Sequence, residues 1–147
     1  MNASISVLLE RKGSAVQCLA PAASVAEAVQ LMNRSKISSV LITEGGRLAG
    51  IFTERDVLRR VVGESRDPKT TPVSLVMTAG VATITAGATI DEALALFTSR
   101  RCRHLPVLEA GRLVGLISIG DISRWLAEAH RTEAEHLKNY ISGGLQA

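Results

Sequence analysis

Displaced by 65 positions, the chain falls on itself without a gap. Val16 meets Val81, Glu27 meets Glu92, Ala28 meets Ala93 and Leu31 meets Leu96. Further along, Glu44, Gly46, Arg47, Leu48 and Gly50 meet Glu109, Gly111, Arg112, Leu113 and Gly115. Asp56 and Arg59 then meet Asp121 and Arg124, and most remaining pairs set one apolar residue on another. Such a repeat limits the fold before any single residue does. One small unit is built twice, and the two copies together bury what neither could bury alone.

Each copy reads as β-α-β-β-α. Ser24 and Thr89 stand three residues before Glu27 and Glu92, a capping box that opens a helix. Apolar residues follow at helical spacing: Val25, Ala28, Val29 and Met32 in one copy, Ile90, Ala93, Leu94 and Phe97 in the other. Two short apolar runs joined by a glycine-containing turn come next, 39–42 with 48–52 and 105–108 with 113–117, and these read as β-hairpins. A second helix starts after Thr53 or Ser118, and a short strand before the first helix completes the unit. The expected divisions are an N-terminal helix within 1–15, stopped by Gly13, a first repeat 16–62, a linker 63–80, a second repeat 81–127 and a C-terminal helical extension 128–147. The linker holds Pro68 and Pro72 and a helical turn near Val73 to Met77. In the extension, Thr132 and Glu135 read as a further capping box, opening a helix through Tyr140 and Ile141 that stops at Gly143 and Gly144. The fold class expected is α/β, with the two repeats packed pseudo-symmetrically through their sheets.

Composition narrows the function. A chain of 147 residues needs no disulfide or metal in order to fold. Aromatic residues are 3%, too few for the stacking platforms of single-stranded nucleic acid binders. The net charge of +3 comes without a long basic tract, which argues against a nucleic-acid arm and suits a small anionic ligand. Cys18 and Cys102 show neither metal-like spacing nor a disulfide framework. They read as small buried free thiols, and with no signal-peptide pattern the expected compartment is the cytoplasm. No apolar stretch approaches the roughly 20 residues of a membrane helix. His130 and His136 lack a third partner for a metal and read as a solvated helix face. Trp125 reads as a packing or dimer contact. With no Walker loop, nucleophile elbow or metal cluster, no enzyme activity is expected.

The informative constellation is the strand-to-helix junction. One copy reads Gly50-Ile51-Phe52-Thr53-Glu54-Arg55-Asp56, the other Gly115-Leu116-Ile117-Ser118-Ile119-Gly120-Asp121. A hydroxyl residue three before an acid is itself a helix cap. The acid, however, is Asp in both junctions, whereas the other boxes use the longer Glu. A helix N-terminus offers N–H groups to a phosphate, and a carboxylate one turn on can accept from two ribose hydroxyls. Cap and nucleotide site both remain open readings of these residues.

The doubled unit, the two Gly-x-x-Thr/Ser-x-x-Asp junctions, Val76-Met77-Thr78 and Arg103-His104-Leu105-Pro106-Val107 together resemble a tandem cystathionine β-synthase (CBS) domain pair, or Bateman module. The Leu9-to-Gly13 helix end and the Ser118-to-Asp121 turn are similar to those of stand-alone bacterial pairs. The resemblance covers about residues 5 to 143. It implies an adenosine ligand (AMP, ADP, ATP or S-adenosylmethionine) in two clefts between the repeats, with Asp on ribose and Thr or Ser near phosphate. On that pattern one site takes Thr53, Arg55 and Asp56 with Ala82, Thr83, Arg103 and His104. The other takes Ser118 and Asp121 with Gln17, Cys18 and Ser38. Gly120 and Ser38 stand where the first site has Arg55 and Arg103, so the first is expected to prefer phosphorylated ligands. The implied function is a regulatory, energy-sensing module without required cofactor or metal. Its implied partners are a second copy of itself and a regulated protein, with neither membrane nor nucleic acid. The alternatives are the same fold with empty sites, serving as a structural or protein-interaction module, and an unrecognised small enzyme.

Overall fold

Ser24 and Thr89 open two 11-residue helices; Glu92 closes the box at Thr89, accepting from its N–H at 3.4 Å, while at Ser24 the hydroxyl half of the box is formed. Each cap residue lies in extended backbone, and its hydroxyl accepts from the N–H of Glu27 or Glu92 at 3.1 Å. In the computed structural model, which describes residues 3–146 and side chains through residue 139, the elements run in the order expected. These are α1 (Ile5–Lys12), β1 (Cys18–Leu19), α2 (Val25–Ser35), β2 (Ser39–Glu44), β3 (Arg47–Thr53) and α3 (Glu54–Asp56). A π-helical segment Val57–Val62 and a 3-10 turn Val73–Leu75 lead to β4 (Ile84–Thr85), α4 (Ile90–Arg100), β5 (His104–Glu109), β6 (Arg112–Ser118) and α5 (Ile119–Gln146).

The strands form two three-stranded sheets, β1-β2-β3 and β4-β5-β6. In each, the first pair is parallel and the second an antiparallel hairpin. The repeat extends to register: Ser39 opposes Thr53 as His104 opposes Ser118, and both hairpins shift register at the equivalent point, Ile42/Thr43 and Val107/Leu108. Strand alternation divides the residues of each hairpin between two faces. Val40, Ile42 and Phe52 join α2 in one core, and Leu105, Val107 and Ile117 join α4 in another. Leu41, Ile51 and Pro106 are buried outside both cores, on the faces the two sheets turn to one another, where β3 and β6 meet.

The segments that lead into the repeats are exchanged. Helix α1, which precedes the first repeat, buries Ile5, Leu8 and Leu9 in the core of the second. Its start is fixed by Ile5 N–H to Ala88 C=O at 2.8 Å and Ile90 N–H to Ala3 C=O at 2.9 Å. The linker before the second repeat sends Val73 and Val76 into the core of the first, with Val25 N–H bonded to Thr71 C=O at 2.9 Å. Two equivalent glycines make room for this. A Cβ on Gly50 would lie 2.7 Å from Met77 Sδ and from Thr78 O, and one on Gly115 would lie 2.8 Å from Leu9 Cδ2.

Two expectations need correction. No separate helix opens at Thr132, and none stops at Gly143: α5 is continuous from Ile119 to Gln146. The turn before Thr132 is already helical, so its hydroxyl donates to the Glu128 carbonyl at 3.0 Å and does not cap. Cys18 is exposed, not buried, while Cys102 is half-buried, and both are free thiols. The second helix of the first repeat also winds wider than its counterpart, with Gly63 N–H reaching back five residues to Leu58 C=O at 2.9 Å. Trp125 lies partly buried against the second core, in keeping with a packing role.

Candidate functional site

At both junctions the helix cap is real. Thr53 N–H donates to Asp56 Oδ2 at 3.0 Å, and Asp56 N–H donates to Thr53 Oγ1 at 3.3 Å. Ser118 N–H donates to Asp121 Oδ2 at 2.8 Å, and Asp121 N–H to Ser118 Oγ at 3.1 Å. Asp therefore closes the box despite its shorter side chain. Capping does not exhaust the carboxylates, each of which offers about four lone-pair sites. Asp56 also accepts from the Thr78 hydroxyl at 3.3 Å and lies 3.7 Å from Arg60 Nε.

Each junction opens onto a cleft whose other wall is the opposite repeat. The first cleft, about 360 Å³, gathers Thr53, Arg55 and Asp56 with Ala82, Arg103 and His104. The second, about 620 Å³, gathers Ser118 and Asp121 with Gln17 and Ser38. Thr83 and Cys18 line neither cleft; Thr83 faces a hollow between the two hairpin turns. Both misses fall at the same place in the repeat. Positions 17 and 18 are the repeat equivalents of 82 and 83. Gln17 and Ala82 line the clefts together with the residues before them, Val16 and Val81, and Cys18 and Thr83 do not.

Several lining residues escaped the sequence reading. Lys36 enters the second cleft and Arg101 the first. They are repeat equivalents at the ends of α2 and α4, both in left-handed backbone, with φ of 54° and 52°. That position is usually glycine, which bears left-handed backbone without strain. Their shared charge was a readable signal. Arg100 also borders the first cleft, and Lys12 and Arg124 border the second. The second cleft thus holds cations from elements other than the ones the first cleft uses.

Ser38, Glu54 and His104 line both clefts and form a shared wall. Ser38 Oγ lies 3.5 Å from His104 Nε2. Burial pushes the His104 imidazole below its usual range, helped by Lys12 and Arg103 and opposed by Asp121 and Glu54. Burial would raise Asp121, but hydrogen bonds from Lys12 and Ser118 outweigh it and hold the carboxyl below its usual range. Among the described residues no three His, Cys, Asp or Glu side chains cluster as metal ligands. No described helix is long and apolar enough to cross a membrane.

The chain matches the family model of the CBS domain twice, over residues 14–63 and 73–128. It is 36% identical over 126 residues to the mitochondrial CBS domain-containing protein CBSX3 of Arabidopsis thaliana, covering 82% of this chain and 61% of that one. The chain thus spans less than two thirds of that relative. It is 30% identical over 108 residues to the CBS domain-containing protein YhcV of Bacillus subtilis, covering 74% of this chain and 76% of the relative. Its fold superimposes on the crystal structure of a CBS-domain-containing protein from Agrobacterium tumefaciens with a TM-score of 0.78 and 38% identity, over 83% of this chain and 98% of that one. The duplicated sheets, the paired junctions and these matches agree: the chain belongs to the CBS-domain family, as a tandem pair.

Proposed function

We propose that this chain is a regulatory module that binds an adenosine ligand (AMP, ADP, ATP or S-adenosylmethionine) between its repeats and performs no catalysis. One observation carries the reading. Each junction carboxylate opens onto a cleft walled by the other repeat and edged with cations. A ribose held by Asp56 in the first cleft would place phosphates among Arg55, Arg100, Arg101 and Arg103, so this cleft prefers phosphorylated ligands. A molecule bound there bridges the repeats, and its occupancy biases how they pack. That bias is the signal passed to a regulated protein. The chain works as a homodimer in the cytoplasm, with Cys18 and Cys102 as thiols. Leu58 and Val62, four residues apart on the helix after the first junction and about two-thirds exposed, offer an apolar face to a second copy.

Thermal unfolding with AMP, ADP, ATP and S-adenosylmethionine, and GTP as control, tests the reading. Ligand at 100 times its Kd adds about 2.7 kcal/mol, a shift of several degrees. A shift confined to adenosine ligands supports the proposal. No shift with any of them favours a ligand-free interaction module. Asp56→Ala separates cap from ligand contact. Loss of the carboxylate's half of the capping box costs about 0.5–1.5 kcal/mol without ligand, and loss of charge-assisted bonds to ribose weakens binding about 10- to 150-fold. An undiminished ligand shift in that variant would reduce Asp56 to a cap.

A further inference from the structure

The two clefts differ most at their carboxylates. Asp56 takes its cross-chain bond from a neutral group, the Thr78 hydroxyl. Asp121 takes its own from a cation, Lys12 Nζ, at 2.6 Å. The same ammonium donates to the Leu116 carbonyl. It reaches the cleft because α1 docks on the second repeat and not on the first. Leu8 and Leu9 are buried there, Leu9 rests on Gly115, and Arg11 lies over the Trp125 ring at 4.7 Å and beside Glu128 at 3.5 Å. Gly13, with φ of 96°, then turns the chain away. Lys12 is therefore placed by a helix clamped on both sides of it, and its side chain remains 31% exposed.

The donor count gives this placement a consequence. An ammonium has three N–H donors, and two are engaged by Asp121 and Leu116. The third is free for whatever enters the cleft. On Asp121, the described bonds from Ser118 N–H and Lys12 both end on Oδ2, so Oδ1 keeps its acceptor capacity. The pair thus presents one carboxylate oxygen and one ammonium proton side by side. That combination fits a hydroxyl and an anionic oxygen on the same small molecule. Lys36 and Arg124 in the same cleft add positive charge and no competing acceptor. At the matching place the first cleft offers a hydroxyl and a carboxylate, with no ammonium.

We infer that Lys12 is the specificity-determining residue of the second cleft, selecting a ligand that carries phosphate next to its ribose, a nucleoside monophosphate, over the uncharged nucleoside. The inference rests on the adenosine reading above and assigns that reading's second site its preference. It also removes the difference expected from Gly120 and Ser38, because the charge missing from the junction is supplied by α1. In the absence of Lys12, Asp121 would have no cation hydrogen-bonded to it, much as Asp56 has Arg60 Nε only at 3.7 Å.

The test is titration calorimetry with AMP and adenosine on protein carrying Asp56→Asn, which weakens the first cleft's hold on ribose, with and without Lys12→Met. Methionine is the residue found at the repeat-equivalent position, Met77. With Lys12 present, AMP binds at least about tenfold tighter than adenosine, the scale of one charge-assisted bond. Lys12→Met brings the two affinities to within about threefold, mainly by weakening AMP, and Lys12→Arg keeps most of the preference. An unchanged AMP-to-adenosine ratio in Lys12→Met overturns the inference while leaving the adenosine reading intact. So does an equal loss of both ligands, which would make Lys12 a prop for the cleft. Binding of neither ligand to the Asp56→Asn protein or to the unmodified chain overturns the adenosine reading and this inference with it. Retained circular dichroism and a single unfolding transition in each variant show that the fold is unchanged.

Discussion

Lys36 and Arg101 hold left-handed backbone that a non-glycine residue occupies at a cost of about 1 kcal/mol. Both side chains then line a cleft. Strain kept twice, at equivalent positions and with the same charge, is what the proposed ligand-binding role would account for. Lys36→Gly and Arg101→Gly are each expected to raise ligand-free stability by about 0.4–1 kcal/mol in chemical denaturation and to weaken binding of phosphorylated ligand several-fold. Unaltered ligand affinity in both would make these residues ordinary helix ends. His104 gives a second outcome at this scale. Its folded pKa lies below the unfolded value of about 6.5 because burial, Lys12 and Arg103 disfavour the imidazolium. Above that value neither state binds the proton and His104 contributes no pH dependence. As pH falls below it, the unfolded chain protonates first and stability declines, until the folded His104 protonates too. The melting temperature is expected to drop between pH 7.5 and 5.5, and His104→Gln to flatten that drop. Asp121, depressed in its turn, contributes stability above the ordinary carboxylate range and loses it only as pH falls below that range.

The repeated elements were legible because their signals are local. The Ser24 and Thr89 caps, the glycine turns of the hairpins and the Gly13 helix end are each set by three or four adjacent residues, and the structure has them where the sequence puts them. The Thr132 box has the same spelling and no cap, since a cap also requires the preceding turn to be non-helical. The exchange of α1 and the linker between repeats left no local sign beyond two glycines. A Cβ at Gly50 meets a backbone oxygen held in the Ile51–Thr78 bridge, whereas at Gly115 it meets only the Leu9 methyls. Gly50→Ala is therefore expected to cost about 1–3 kcal/mol, more than Gly115→Ala. Gly115→Ala should instead loosen α1, read as faster tryptic cleavage after Arg11 or Lys12. Equal cost at both sites would contradict the difference in how the two segments are held.

At the scale of the whole molecule, the proposed function depends on the repeats facing one another. The sequence shows that there are two units, and their pairing brings ten of the twelve expected site residues to the clefts: Thr53, Arg55, Asp56, Ala82, Arg103 and His104 to the first, Gln17, Ser38, Ser118 and Asp121 to the second. It could not show Lys12 in the second cleft, because that contact depends on where an entire helix docks. The proposed assembly into a dimer through the first repeat's helix has its own test. Leu58→Asp is expected to leave monomer stability within about 0.5 kcal/mol, as for most exposed positions, while shifting the protein from dimer to monomer in light scattering. A dimer that persists would move the interface elsewhere. The central claim, that the clefts between the repeats hold an adenosine ligand, is tested most directly by a crystal structure grown with saturating AMP. The expected density places ribose on the Asp56 or Asp121 carboxylate and phosphate among the cations of the same cleft. AMP bound at any other place, or both clefts empty at saturation, would contradict it.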